Sequence, residues 1–225
     1  MFVDSYVPGA ITDTLTDALT DALIIALIVT LIKNRHTMTP INTSALSNFQ
    51  FEQLALDNPF WRFSLEQWQK PSLQTQLLHL QNTQDYRINL LLLAMWLGFE
   101  HHDIRPHLTS LVNASRAWHE QVVAPLRQTR QNLPTTVSAL KKQLQACELQ
   151  AEQIEQAILY DTCLKLYPDN MEQRALSAKQ QDSLDWLITN LSASELAEND
   201  LYLLLQACLP SYPVPRIKAR LDLHC

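Results

Sequence analysis

Two apolar seams lie on either side of Pro134 in this chain. The first, with spacings of 4, 3, 4, 3, 4 and 3 residues, consists of Ile104, Leu108, Leu111, Ser115, Trp118, Val122 and Pro125. The second, with spacings of 3, 4, 3, 4, 3 and 4, consists of Val137, Leu140, Leu144, Cys147, Ala151, Ile154 and Ile158. Heptad-like spacing puts each seam on one face of a helix. The pattern therefore predicts a long antiparallel helical hairpin turning at Pro134, in which Trp118 faces the small residues Cys147 and Ala151.

Proline and polar residues divide the rest of the chain into shorter predicted helices. Asn58 can cap a helix with Pro59 at its first position, and Asp85 can cap another that ends near Gly98. Residues 89–98 are apolar nearly all round, so we expect their helix to be central and buried. We also expect Pro125 to interrupt the first arm of the hairpin, because proline lacks the N–H that a helix interior needs.

Beyond residues 167–170 the sequence predicts two C-terminal helices, around residues 184–191 and 201–209. The predicted fold is all-α: short N-terminal helices packed on a long antiparallel hairpin, plus these two helices, in a single domain of about residues 45–210. Residues 211–225 are predicted to form a proline-rich basic tail, which is extended from Pro210 to Pro215 and ends in a basic patch of Arg216, Lys218 and Arg220.

Composition excludes several function classes. Only Gly9 and Gly98 occur, so glycine-rich phosphate loops of the Walker or Rossmann type are absent. The net charge of −6 disfavours nucleic-acid binding, which depends on a basic surface. The four cysteines are widely spaced, which indicates reduced thiols and a cytoplasmic location.

Residues 1–37 differ from the rest, because a tandem Thr-Asp repeat runs into an apolar stretch at residues 22–32. That stretch is shorter than the roughly 20 residues needed to cross a bilayer. We interpret the segment as not native, with Met38 rather than Met1 as the true start. The alternative is a weak membrane-associating helix within residues 10–32, so no membrane contact is expected unless these residues are native.

Four motifs carry a family resemblance. They are residues 58–65 with Trp68, residues 89–98, residues 118–127 with Arg130, and the acidic positions Glu148, Glu152 and Glu155 around Ala151. Together they resemble a proteobacterial family of small helical proteins classed as a domain of unknown function, with the pattern FWxFSLxxY, LQD, DVNLLLxxxWL, WxxxVVxPLRxxR and ExxxAExxE. The resemblance covers about positions 58 to 160 and implies an all-helical bacterial cytoplasmic protein without an established activity. Two departures are Trp68 in place of tyrosine and Arg87 in place of an acidic residue.

Three groups of residues have the chemistry of a binding site. Asn89, on an apolar helix, must find a partner such as Ser64, or else orient a ligand in a pocket formed by Trp61, Trp68 and Trp96. Arg127 and Arg130 could bind an anionic ligand or partner, or pair with glutamates across the hairpin, where counting outward from Pro134 pairs Arg116 with Glu152. His101, His102 and His107 form a weak candidate metal cluster without an HExxH motif, so no metal is assigned.

No catalytic residue and no cofactor are indicated, because the sequence shows no serine or cysteine with a nearby histidine and acid that could activate it as a nucleophile. The sequence alone does not identify the function. The favoured hypothesis is a non-catalytic interaction or adaptor protein that binds a protein partner or forms a homodimer, with the outer faces of the hairpin and the patch of Arg127 and Arg130 as the contact surface. Trp118 is a further candidate ligand or partner residue. The alternatives are a small-molecule-binding protein with a tryptophan-lined pocket and a metal-dependent enzyme that uses the three histidines.

Overall fold

The computed structural model of the chain describes residue 46 and residues 51–167 and 183–222, which all belong to the unit Ser44–Cys225. These residues form helices and turns without any strand, which confirms the all-α prediction. The repeat and the apolar stretch within residues 1–37, and with them the choice between Met1 and Met38, lie outside the described residues.

The α-helices of the described residues are numbered in chain order. They are α1 Pro59–Trp68, α2 Pro71–Gln84, α3 Ile88–Phe99, α4 Leu108–Trp118, α5 Ala124–Asn132, α6 Ser138–Leu166, α7 Ser183–Ser192, α8 Glu198–Cys208 and α9 Val214–Leu221. A π-helical segment, His119–Val123, joins α4 to α5. Short 3-10 turns occupy Phe51–Gln53, Arg105–His107 and Thr135–Val137.

Helix starts and ends follow the local sequence only in part. Asn58 caps α1 as predicted, because its Oδ1 accepts the backbone N–H of Trp61 at 2.8 Å and Pro59 is the first helical residue. The prediction that Asp85 caps α3 is wrong. Asp85 instead ends α2 in the left-handed conformation with φ 57°, and Arg87 precedes α3 without a side-chain cap. In a chain this poor in glycine, a short polar residue takes the position that glycine usually fills.

Helix α3 lies at the centre of the main hydrophobic cluster, as its apolar sequence predicts. It packs closely against α7 at Gly98. A Cβ atom at Gly98 would lie 3.0 Å from Cδ2 of Leu187 and 3.2 Å from its backbone Cα. The missing side chain of Gly98 is therefore what allows the two helices to approach each other.

The first arm of the hairpin consists of α4, the π-helical segment and α5, and each of them contacts α6. Val122, Val123 and Leu126 pack with Leu144 and Ala151 in a second hydrophobic cluster. The indole Nε1 of Trp118 donates to the carbonyl of Ala151 at 2.8 Å, which confirms the predicted neighbourhood of these residues.

The π-helical segment stands immediately before Pro125, the second residue of α5. The N–H of Ala124 bonds the carbonyl of His119, five residues back instead of four. One extra residue in the turn accommodates a proline that cannot donate and whose ring would crowd the carbonyl four residues earlier. The expected interruption of the first arm thus takes the form of a π-helical turn.

The segment after Pro213 is a helix, so the prediction of an extended tail is wrong there. Ile217 is 0% exposed and Leu221 is 4% exposed, and both belong to the main hydrophobic cluster. The two residues are four apart and share one face of α9. The prolines suggested extended chain, but Pro215 falls in the first turn, where a helix tolerates it.

Candidate functional site: a buried carboxylate row

Helix α6 carries Glu148, Glu152 and Glu155 on one side, separated by 4 and 3 residues. We call these three residues the carboxylate row. Their side chains are 7%, 26% and 0% exposed, respectively. Carboxylates are seldom buried without partners, because removing an unpaired charge from water is very unfavourable. The neighbouring helices supply those partners.

Glu155 has three polar partners outside α6, two at the start of α3 and one in the π-helical segment. Arg87, just before α3, donates to it through Nη2, and Asn89 donates through Nδ2 at 2.7 Å. His119, in the π-helical segment, places Nδ1 3.2 Å from Oε1 of Glu155. Arg87 Nη2 also donates to the hydroxyl of Ser115 on α4 at 2.6 Å. One carboxylate thereby links α6 to α3 and to the first arm of the hairpin.

Both the oxygen and the nitrogen of the Asn89 side-chain amide form hydrogen bonds. Its Oδ1 accepts from Nε2 of Gln156 at 2.8 Å, while its Nδ2 donates to Glu155. The partner is therefore a pair of side chains on α6 rather than Ser64, whose buried Oγ has no hydrogen-bond partner among the described residues. The structure gives Asn89 a role in joining α3 to α6.

Glu148 and Glu152 are held by the two arginines of α5. Arg127 donates through Nε to Glu148 at 2.9 Å and through Nη2 to Glu152 at 2.6 Å. Arg130 donates to Glu148 through Nε and, at 3.2 Å, through Nη2. The predicted pairing of Arg116 with Glu152 is wrong, because Glu152 is paired with Arg127 of α5 instead. Counting symmetrically from Pro134 fails, since α6 begins only at Ser138 and the first arm contains a π-helical turn.

The pKa values of two carboxylates in the row, Glu155 and Glu152, shift in opposite directions. Burial alone raises the pKa of Glu155, but the hydrogen bonds and positive charges of His119 and Arg87 outweigh it and lower the pKa below its ordinary value. For Glu152, burial dominates over the charge of Arg127 and raises the pKa. The hydrogen bond to Glu148 raises the pKa of Arg130. Glu155 is thus stabilised as an anion at a position that solvent does not reach.

The tryptophans proposed as a pocket lining occupy different environments. Trp96 is buried, with its ring 5.4 Å from that of Phe60 and 5.8 Å from that of Tyr160. Trp61 and Trp68 are partly exposed on α1, and Trp68 packs against the main cluster. The structure therefore places Trp96 inside the core rather than at an opening.

The three histidines lie near aromatic residues at the ends of α3 and α4. His101 Nε2 is 3.1 Å from the Ser183 hydroxyl, and its ring stacks on Trp186 at 6.2 Å. The rings of His102 and His107 each lie 5.0 Å from that of Tyr167. Among the described residues, no group of three or more histidine, cysteine or acidic side chains is arranged to hold a metal ion.

Sequence reasoning identified Asn89, Arg127 and Arg130 but missed other members of the network. The missed residues are Arg87 as a partner of Glu155, and Ser115, His119 and Gln156. A usable signal was present, because each glutamate of the row immediately follows a seam position of α6. Such a residue lies at the edge of a helix interface, where a charge needs a partner on the facing helix.

The described part of the chain is thus an all-α domain in which buried ion pairs join a helical hairpin to a central apolar helix. Residues 59–159 match the family model described as "Protein of unknown function (DUF2390)", which confirms the resemblance to a family of unknown function. No curated protein and no solved structure shows significant similarity to the chain. Within the described residues, every helix is too short or too polar to span a bilayer.

Proposed function

We propose that this chain is a non-catalytic helical interaction protein that self-associates through the end of its hairpin. The surface in question comprises Leu133, Val137 and Leu140, and we call it the hairpin tip. Val137 is 37% exposed and Leu140 is 42% exposed, although Leu144 on the same seam is only 3% exposed. The apolar seam of α6 therefore extends beyond the part that the first arm covers, and this observation carries the proposal.

The composition of α5 explains why the tip stays uncovered. From residue 127 to residue 132 that helix contains only Arg, Gln, Thr and Asn. Arg127 and Arg130 are directed to the carboxylate row, so they do not shield the tip and are not offered to a partner. The contact surface we propose is therefore the apolar tip rather than the two arginines.

A second copy of the chain is the partner that fits this surface. In a two-fold dimer each tip would face its own equivalent, so apolar residues would meet apolar residues. The Nζ of the neighbouring Lys141 donates to the carbonyl of Leu133 at 3.4 Å. The tip is small beside the roughly 800 Å² per partner of a standard interface, so we expect weak, concentration-dependent association.

The test measures solution mass against concentration by size-exclusion chromatography with light scattering. We expect the wild type to rise above the monomer mass of 25.8 kDa as its concentration increases. The double variant Val137→Gln and Leu140→Gln should remain at the monomer mass. Leu149→Gln is the matched control, because Leu149 is 51% exposed but lies on the opposite side of α6, nine residues from Leu140.

Two results would overturn the proposal. One is a wild type that remains monomeric over the whole concentration range. The other is a Leu149→Gln variant that loses association as completely as the tip variant, since general surface hydrophobicity would then be the cause.

A cytoplasmic location is a further part of the proposal. It is supported by Cys147, Cys163 and Cys208, which are free thiols in the structure. Cell fractionation of the native host tests it, and recovery of the protein in a secreted fraction would contradict it.

A further inference from the structure

A cleft of about 480 Å³ lies between α1, the end of α3 and the residues that follow α8. Its volume is within the range of about 300 to 1,000 Å³ that is usual for small-molecule sites. Its lining includes the aromatic residues Phe63, Phe99 and Tyr212 and the polar residues Glu66, Gln67 and Lys70. The cleft is distant in sequence from the hairpin tip and from the carboxylate row.

The apolar side of the cleft is aromatic. The rings of Phe63 and Phe99 are 5.7 Å apart and tilted by 55°. Tyr212 lines the same cleft, and the guanidinium carbon of Arg216 lies 5.2 Å from the centroid of its ring. The aromatic rings of the lining offer flat apolar surface to the body of a ligand.

Lys70 is the basic residue of the cleft lining, and its ammonium group donates hydrogen bonds to uncharged acceptors. Its Nζ donates to Oε1 of Gln67 at 2.7 Å and to the carbonyl of Cys208 at 3.4 Å. An ammonium group has three donors, so one remains for a ligand. In the part of the chain that the structure describes, no carboxylate forms an ion pair with Lys70.

We infer that this cleft binds a small monoanionic carboxylate with an aliphatic or aromatic body. The carboxylate would accept from Lys70, and the body would lie on Phe63, Phe99 and Tyr212. Glu66 also lines the cleft and repels a dianion more strongly than a monoanion, so a single negative charge, placed at Lys70, is favoured. This inference goes beyond the proposed self-association and uses a different surface.

A second cleft provides an internal control. It has a volume of about 410 Å³, and Lys218 lies 5.4 Å from the ring centroid of Tyr202 within it. Glu198 and Asp222 also line it, so two acidic residues accompany one lysine. An anionic ligand is therefore disfavoured in this cleft although the lysine and the tyrosine are present.

The experiment titrates the full chain with octanoate and with octan-1-ol, which has the same chain length and no charge. Binding is followed by isothermal titration calorimetry and located by amide chemical shifts. We expect octanoate to bind at one site and at least tenfold more tightly than octanol. The perturbed amides should include those of Phe63, Phe99 and Tyr212.

Four variants separate the contributions. Lys70→Met should weaken octanoate about tenfold or more and leave octanol unchanged, because only the charge-assisted hydrogen bond is lost. Lys70→Arg should retain octanoate binding, because it keeps the positive charge. The unchanged octanol affinity of Lys70→Met shows that this variant is folded. Tyr212→Ala should weaken both ligands. Lys218→Met, in the second cleft, should leave both affinities at the wild-type value.

The inference is overturned if octanoate does not bind, if octanol binds as tightly as octanoate, or if Lys218→Met weakens octanoate as much as Lys70→Met does. None of these results bears on self-association, which is measured without ligand.

Discussion

At the scale of single residues, Glu155 is a fully buried carboxylate with several polar partners. Its carboxylate is 0% exposed and accepts from Arg87 and Asn89, with His119 close by. A buried ion pair need not stabilise a protein more than apolar residues would, but removing one member leaves the other charge buried and unpaired.

Glu155→Gln should therefore lower the free energy of unfolding by about 3 to 5 kcal/mol, because Arg87 loses its counterion inside the protein. Urea denaturation measures the change. The matched control is Asp161→Asn on the same helix, which breaks the exposed pair between Asp161 and Lys165 and should cost less than about 1 kcal/mol. Equal effects of the two substitutions would contradict the assigned role of Glu155.

The same residue makes a prediction about pH. The folded-state pKa of Glu155 is lowered, so its stabilising contribution is complete above an unfolded pKa of about 4.3 and is lost as the pH falls through the folded value. The difference in unfolding free energy between wild type and Glu155→Gln should thus shrink below about pH 4.3. Denaturation from pH 7 to pH 3 checks this, and a constant difference would refute it.

At the scale of elements, the π-helical segment determines which face α5 presents to α6. Each residue added to or removed from a helix rotates the remainder of that helix by about 100°. The extra residue at His119–Val123 therefore sets the direction of Arg127 and Arg130 toward Glu148.

Deleting Gln121 should restore a regular helix and turn both arginines away from the carboxylate row. We expect a loss of about 3 to 5 kcal/mol in unfolding free energy, because buried glutamates lose their partners. Gln121→Ala keeps the backbone length and removes a buried Oε1 that has no partner among the described residues, so it should cost less than about 1 kcal/mol. Chemical denaturation compares the two, and a deletion as mild as the substitution would show that the π-helical turn is dispensable.

Close packing of α3 on α7 gives a second prediction at this scale. Gly98→Ala should destabilise the protein by about 1 to 3 kcal/mol, although alanine is the better helix former, because the new Cβ meets the backbone of Leu187 at 3.2 Å. Thermal unfolding measures the effect. An unchanged or raised melting temperature would mean that α3 and α7 can move apart to admit the Cβ atom without loss of stability.

At the scale of the whole molecule, α9 closes the main hydrophobic cluster. Ile217→Ala should lower the unfolding free energy by about 2 to 5 kcal/mol, because it creates a cavity at a fully buried position. Val214→Ala, on the same helix but at a residue that is 37% exposed, should change it by less than about 1 kcal/mol. Similar effects in a denaturant titration would show that α9 does not contribute to the core.

Local features of the fold could be predicted from the sequence, and distant pairings could not. The cap at Asn58 depends on a contact three residues along the chain, and the proximity of Trp118 to Ala151 follows from two regular seams around one turn. The contact between Arg87 and Glu155 joins residues 68 positions apart and requires three elements to be packed first. The prolines after residue 209 also concealed the helix that carries Ile217.

The carboxylate row also bears on which alignment of the hairpin is adopted. A seam with a heptad period would match its partner again after a slide of seven residues along the helix axis, so apolar contacts alone permit several alignments. In the observed alignment Glu148 pairs with Arg127 and Arg130, Glu152 pairs with Arg127, and Glu155 pairs with Arg87. Any slide along the helix axis would leave buried charges without partners. The ion pairs thus select one alignment of the hairpin among several that the apolar contacts alone would permit.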